Sequence, residues 1–251
     1  RLAQRVKDVT ESLEQLKTRT AIEIALYEVW NDIRWYLRRA KRPDGETLRR
    51  VVDTWLRLLA PFIPYTCEEL WEALDKPPFV SIAPWPKPED FEVDPLADEC
   101  EELVKSVIDD VQNIARATKT KPKRIYLYTA KPWKWDLYLE VVKRIEEGKN
   151  VGDLAKSFCE KLGMDKKEMP KLVKLVNRMA EAVRSTHPDV RKRRLSLGMV
   201  DECSMLEDAK EFLSKELGAE VQVFREGDPD AYDPKGRSEL AQPYRPAIYL
   251  E

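Results

Sequence analysis

The sequence predicts a mainly α protein: an antiparallel helix bundle followed by a small α/β domain with about three strands. Three observations carry this. Apolar residues recur three or four apart through the first 75 residues. Prolines and a Pro-Asp-Gly turn cut that pattern into antiparallel pieces. Beyond residue 118 helical patterns alternate with short β-branched and aromatic runs. A length of 251 residues suits two domains at roughly 100–200 residues each. The expected boundaries are 1–90 for a bundle with a Pro-rich strap, 91–117 for a connecting acidic helix and 118–251 for the α/β domain.

Residues 1–40 read as helix with a break near 17–20. Ile22, Leu26, Val29, Ile33 and Leu37 form one expected buried stripe. Pro43-Asp44-Gly45 is a turn. Leu48, Val52, Trp55 and Leu59 continue the pattern until Pro61 and Pro64 end it. Thr66-Cys67-Glu68-Glu69 reads as a capping box, in which Thr66 and Glu69 each accept the other's amide. Leu70, Trp71 and Leu74 supply the apolar face of the helix that follows. Pro77 to Pro88 is expected to be an extended strap pinned by Phe79, Ile82 and Trp85.

An acidic helix over about 95–117 leads to Arg124-Ile125-Tyr126-Leu127-Tyr128-Thr129, a strand by composition. Helical patterns cover about 134–147, 151–162, 170–184 and 202–217, the last stopped by Gly218. Residues 219–224 and 246–250 complete the expected strands.

Charged residues make up 36% of the chain, against five Gln, four Asn and one His, a thermophile-like balance. The net charge of −2 conceals segregation. Residues 91–115 hold eight acids and the single base Lys105, whereas 116–135 hold seven bases and no acid. Such a basic stretch attracts phosphates locally, because the Debye length is about 8 Å in physiological salt. Cys67, Cys100, Cys159 and Cys203 are scattered, which points to a reducing cytoplasm and small buried side chains rather than a disulfide framework or zinc. No apolar run approaches the roughly 20 residues that span a bilayer. Residues 1–15 read as amphipathic helix, not signal peptide, and the absence of an initial Met is expected of a piece of a longer chain.

Nothing points to catalysis within these residues. His187, before Pro188, reads as a helix-end residue, and the eight glycines form no phosphate-cradling loop. No catalytic, metal or cofactor site is expected.

The most specific run is Leu58-Leu59-Ala60-Pro61-Phe62-Ile63-Pro64-Tyr65-Thr66-Cys67-Glu68-Glu69-Leu70-Trp71-Glu72, followed by Ala83-Pro84-Trp85-Pro86. It resembles the anticodon-binding-domain signature of the class I aminoacyl-tRNA synthetases for leucine, isoleucine and valine, with Tyr65 where that family often has His. Arg19-Thr20-Ala21-Ile22 resembles the entry to the same bundle. Tyr126-Leu127-Tyr128-Thr129-Ala130-Lys131-Pro132-Trp133-Lys134-Trp135 and Tyr244-Arg245-Pro246-Ala247-Ile248-Tyr249-Leu250-Glu251 resemble the C-terminal domain of archaeal-type leucyl-tRNA synthetases. The same region of an isoleucyl or valyl enzyme is the alternative. So is a module that docks other synthetases through the acidic helix and basic segments.

The resemblance implies a parent enzyme that charges tRNA-Leu with leucine using ATP and Mg. Its catalytic and editing domains would lie upstream, since the His-Ile-Gly-His and Lys-Met-Ser-Lys-Ser signatures are absent here. It implies a cytoplasmic monomer whose piece seen here makes only tRNA contacts, the bundle bracing the L-shaped tRNA and the α/β domain reaching its long variable arm. The candidate phosphate ligands are Lys119, Lys121, Lys123, Arg124, Lys131 and Lys134, with Trp133 and Trp135 as stacking platforms or, alternatively, core residues. Arg191, Lys192, Arg193 and Arg194 read as a phosphate-facing loop or a solvated charge run. Arg34, Arg38, Arg39, Lys41 and Arg42 cluster near a helix end, where tRNA binding competes with a dipole role. Ala247, Ile248, Tyr249 and Leu250 are expected to read bases at the variable-arm tip through backbone groups, against the alternative of an ordinary strand, with Arg245 and Glu251 as further tRNA contacts.

Overall fold

Leu16, held at φ 57°, and Pro64, the first residue of a helix, punctuate the first 94 residues. The structure, a computed structural model, describes residues 1–76 and 78–251; Pro77, at the start of the expected strap, lies outside them. Helix α1 (Leu2–Glu14) closes with the Lys17 amide on the Ser12 carbonyl at 2.8 Å, a left-handed stop that places the break at 15–17. Helices α2 (Thr18–Glu23) and α3 (Val29–Arg39) follow, joined by a π turn at Ile24–Glu28. That turn shifts the expected stripe. Ala21, Ala25, Val29 and Ile33 are buried, while Leu37 is 43% exposed. The Trp55 indole donates to the Ala25 carbonyl within the π turn at 2.7 Å.

Asp44 caps α4 (Gly45–Leu59), its carboxylate accepting the Thr47 amide at 2.7 Å. The capping box read at Thr66 does not form. Pro64 is well suited to the first helical position, so α5 (Pro64–Ala73) starts three residues earlier and Thr66 lies within it. Glu68 instead accepts the amides of Val80 and Ser81 at 2.8 and 3.0 Å and ties the strap to α5. The strap is not wholly extended, since Val80–Ile82 and Pro88–Asp90 are single 3-10 turns. Of its three expected pins, Trp85 holds and the other two do not. Phe79 and Ile82 are 58% and 68% exposed, whereas Val80 is buried and the Trp85 indole donates to Thr10 Oγ1 at 2.8 Å. Leu58, Cys67 and Trp71 close the core of this unit.

The second unit spans Pro95–Glu251. It contains α6 (Pro95–Thr118), the acidic helix expected as a connector, whose buried face includes Leu103, Val104, Val107 and Val111. Strands β1 (Arg124–Thr129), β2 (Glu220–Arg225) and β3 (Ala247–Leu250) form a sheet in the order β2-β1-β3, parallel on one side of β1 and antiparallel on the other. Between β1 and β2 run α7 (Pro132–Glu146), α8 (Leu154–Leu162), α9 (Met169–Ser185), α10 (Pro188–Leu197) and α11 (Glu202–Leu217). Helix α11 ends on Gly218 at φ 64°, where a side chain would be strained. Alternation along β1 gives the sheet two faces. Ile125 and Leu127 are wholly buried, and Tyr126 and Tyr128 stack with Phe224 on the other side.

Leu58 has no exposed surface. Leu58→Ala is expected to destabilise the first unit by about 2–5 kcal/mol, read as a lower urea midpoint by tryptophan fluorescence. An unchanged midpoint contradicts this packing.

Candidate nucleic-acid interface

The amino end of the sheet brings two predicted groups together. Glu251 and Arg124 exchange backbone hydrogen bonds of 2.9 and 3.1 Å, and the Lys123 amide donates to the Glu251 carbonyl at 2.7 Å. The last residues of the sequence therefore lie against Lys123, at the end of a segment that also carries the exposed Lys119 and Lys121. Antiparallel alternation follows from that pair. The backbone groups of Ala247 and Tyr249 turn toward β1, and those of Ile248 and Leu250 turn to the open edge. Of the four residues expected to read bases through their backbone, the ladder leaves that of these two facing outward. Arg124 lies between Glu220 at 3.5 Å and Glu251 at 3.7 Å, so its charge is partly met within the protein.

A buried ionic cluster holds β3 in place. Arg193 Nε and Arg194 Nε donate to the two carboxylate oxygens of Glu99 at 2.7 and 2.9 Å, and that carboxylate has no exposed surface. Arg194 also donates to the Tyr138 hydroxyl at 3.1 Å, and its guanidinium lies 3.9 Å from the centre of the Tyr244 ring. Trp135 meets the same ring edge-on at 5.0 Å. Tyr244 sits at φ 60° in a turn closed by Gln242 and Arg245, and its amide donates to Glu202. That turn delivers the chain into β3.

Several expectations change accordingly. Residues 191–194 belong to α10, not to a loop, and His187 caps this helix, its Nδ1 accepting the Asp189 amide at 3.3 Å. Arg191 pairs with Glu146, and Arg193 and Arg194 with Glu99, leaving Lys192 as the exposed member. Lys134 is 3% exposed and is held by Glu226 at 2.8 Å and by the carbonyls of Glu239 and Ala241, so it cannot meet a phosphate. Trp135 is core, while Trp133 is half-buried and Lys131 exposed. Arg245 is exposed beside the turn. In the first unit Arg34, Arg38, Lys41 and Arg42 are exposed and Arg39 half-buried. Arg38 and Arg39 occupy the last turn of α3, where cations complement the dipole.

The model for the anticodon-binding domain of tRNA ligase matches residues 1–127. The chain belongs to that family. Along its whole length it is 37% identical to the leucine–tRNA ligase of Pyrococcus abyssi, 38% to that of Methanothrix thermoacetophila and 36% to that of Pyrococcus horikoshii. It spans about a quarter of the length of these relatives, 24%, 25% and 24% respectively. The motif at Leu58–Glu72 lies within the residues matched to the anticodon-binding family, as its resemblance implied.

Sequence reasoning missed Glu99, Glu202 and Tyr244 as functional supports. Glu99 stands 95 positions from Arg194, and no local pattern signals such a pair. Burial pushes the Glu202 carboxyl up to about 8 from an ordinary 4.5; Asp201 adds to the rise, while the Tyr244 and Ala130 amides and Arg194 oppose it. Glu202 Oε2 is buried without a partner among the described residues, which accords with the neutral form.

The folded chain thus keeps a proton that the unfolded chain releases above about pH 4.5. The stability gained is complete below that pH and is lost as pH rises through about 8. Between pH 5.5 and 7.5 the wild type should lose roughly 1 kcal/mol per pH unit more than Glu202→Gln. Parallel denaturation profiles for the two proteins would rule this out.

Proposed function

We propose that this chain is the tRNA-holding portion of a leucine–tRNA ligase. In this reading the α/β unit grips the long variable arm of tRNA-Leu, and the anticodon-binding-type bundle braces the rest of the molecule. The parent enzyme, through domains outside this sequence, charges that tRNA with leucine using ATP and Mg, as a cytoplasmic monomer. The carrying observation is the open β3 edge, which ends against Lys123 in a segment that also carries the exposed Lys119 and Lys121. Outward amides and carbonyls at Ile248 and Leu250 present donors and acceptors for base edges, and the lysines neutralise the adjoining phosphates. The exposed Arg34, Arg38 and Arg42, and Lys131 and Lys192 in the second unit, supply further phosphate contacts. The similarity to leucine–tRNA ligases along the whole chain supports leucine over isoleucine or valine. No helix among the described residues is long and apolar enough to cross a membrane, which is compatible with a cytoplasmic site.

The test is equilibrium binding of the 251-residue chain to tRNA-Leu and to the same tRNA with a shortened variable arm. The intact tRNA should bind at least about tenfold tighter, with log affinity falling steeply against log salt. Deleting Ile248 to Glu251 should reduce that preference more than it reduces total affinity. Equal binding of the two tRNAs would refute the variable-arm reading; an undiminished preference after the deletion would refute readout by β3.

A further inference from the structure

A cavity of about 470 Å³ opens in the second unit between the start of α7, one edge of α9 and the loop at 239–242. That size falls within the roughly 300–1,000 Å³ range of ligand sites. Its apolar surface comes from Met164, Leu172, Leu175 and the half-buried indole of Trp133. The spacing of Lys171, Lys174 and Arg178 aligns three cations along the exposed edge of α9, and Lys131 adds a fourth from the start of α7. All four are exposed, and none pairs with a carboxylate among the described residues. Lys134 and Glu226 cancel one another in the wall at 2.8 Å, leaving Glu168 and Glu239 as the opposing acids. The cavity therefore combines an aromatic side chain, its ring centre 5.7 Å from the Lys134 ammonium, with a positive rim.

We infer that this cavity binds a single unpaired nucleotide, its base against Trp133 and its phosphate on Lys171, Lys174 and Arg178. A simple anion offers charge without a flat π face, and a base locked in a duplex cannot turn its face to the indole. An unpaired nucleotide offers both. The cavity lies at the carboxyl ends of β1 and β2, beside Lys131 and Glu226, whereas Glu251 lies at their amino ends. Six residues of strand at about 3.3 Å each put the two sites roughly 20 Å apart. The site is thus separate from the β3 edge, and its placement on an RNA rests on the tRNA reading above.

A single-stranded hexaribonucleotide carrying one 2-aminopurine tests this with the 251-residue chain. Binding should quench the 2-aminopurine as it stacks. Trp133→Ala should weaken binding at least about tenfold and abolish the quench, while Trp133→Phe stays within about threefold. Matched thermal unfolding of the two variants excludes misfolding as the cause. Replacing Lys171, Lys174 and Arg178 together by Gln should reduce the salt slope by about 2. The 5′-monophosphate of 2-aminopurine riboside separates the sources. Equal quenching by this mononucleotide assigns the cavity to free nucleotides, and quenching by the oligomer alone assigns it to an RNA strand. An absent quench, or one unchanged by Trp133→Ala, overturns the inference. If tRNA binding persists in that case, only the cavity is lost; if the chain binds mononucleotide but no tRNA, only the tRNA reading falls.

Discussion

The buried carboxylate of Glu99 is the constraint on which the second unit depends. An ionised group with no exposed surface is tolerable only when its charge and lone pairs are met, and two guanidiniums meet them here. The consequence extends beyond the pair. Arg194, fixed from one side by Glu99, presents its flat face to Tyr244 and a donor to Tyr138. Tyr244, fixed by that face and by Glu202, sets the turn that feeds β3. Three segments far apart in sequence are thereby locked together: α6, α10 and the turn at 242–245. Removing one partner of such a cluster leaves an uncompensated charge in the interior, a loss of about 3–5 kcal/mol.

This division of labour among cations reconciles a net charge of −2 with a surface proposed to face nucleic acid. Arginines in α10 serve internal acids, and Lys134 serves Glu226. The lysines at 119, 121 and 123 and those lining the α9 cavity remain at the surface. Acids are buried or paired where they organise structure, and cations are left exposed where a phosphate could approach. Field strength at short range, not the overall charge, governs what such a surface attracts.

Local chemistry was legible in the sequence, and long-range chemistry was not. The strand at Arg124–Thr129, the helix ending on Gly218 and the last strand follow from composition and periodicity, and the structure has them where expected. Helix α10 was hidden because cations fill the positions where an apolar stripe would mark a helix. The π turn at Ile24–Glu28 moved the buried face toward Ala25, which a fixed 3.6-residue period cannot anticipate. Pro64 outcompeted Thr66 for the start of α5 because a proline already supplies the required φ. For the interface, the exposed lysines near residue 120 were readable from charge segregation. The withdrawal of Lys134, Arg193 and Arg194 was not, since Glu226 and Glu99 lie about ninety positions away from them. The cations of α9 do carry a signal, spaced opposite Leu172, Val176 and Met179, yet only the cavity gives that spacing a purpose.

Amide hydrogen exchange on an Arg194→Met variant tests most directly whether the buried cluster positions β3. The amides of Tyr249 and Glu251, which face β1, should lose protection at least about tenfold, while those of β2 keep theirs. Unchanged protection at Tyr249 and Glu251 would show that the strand holds its place without the Glu99–Arg194–Tyr244 cluster, and the account would be wrong.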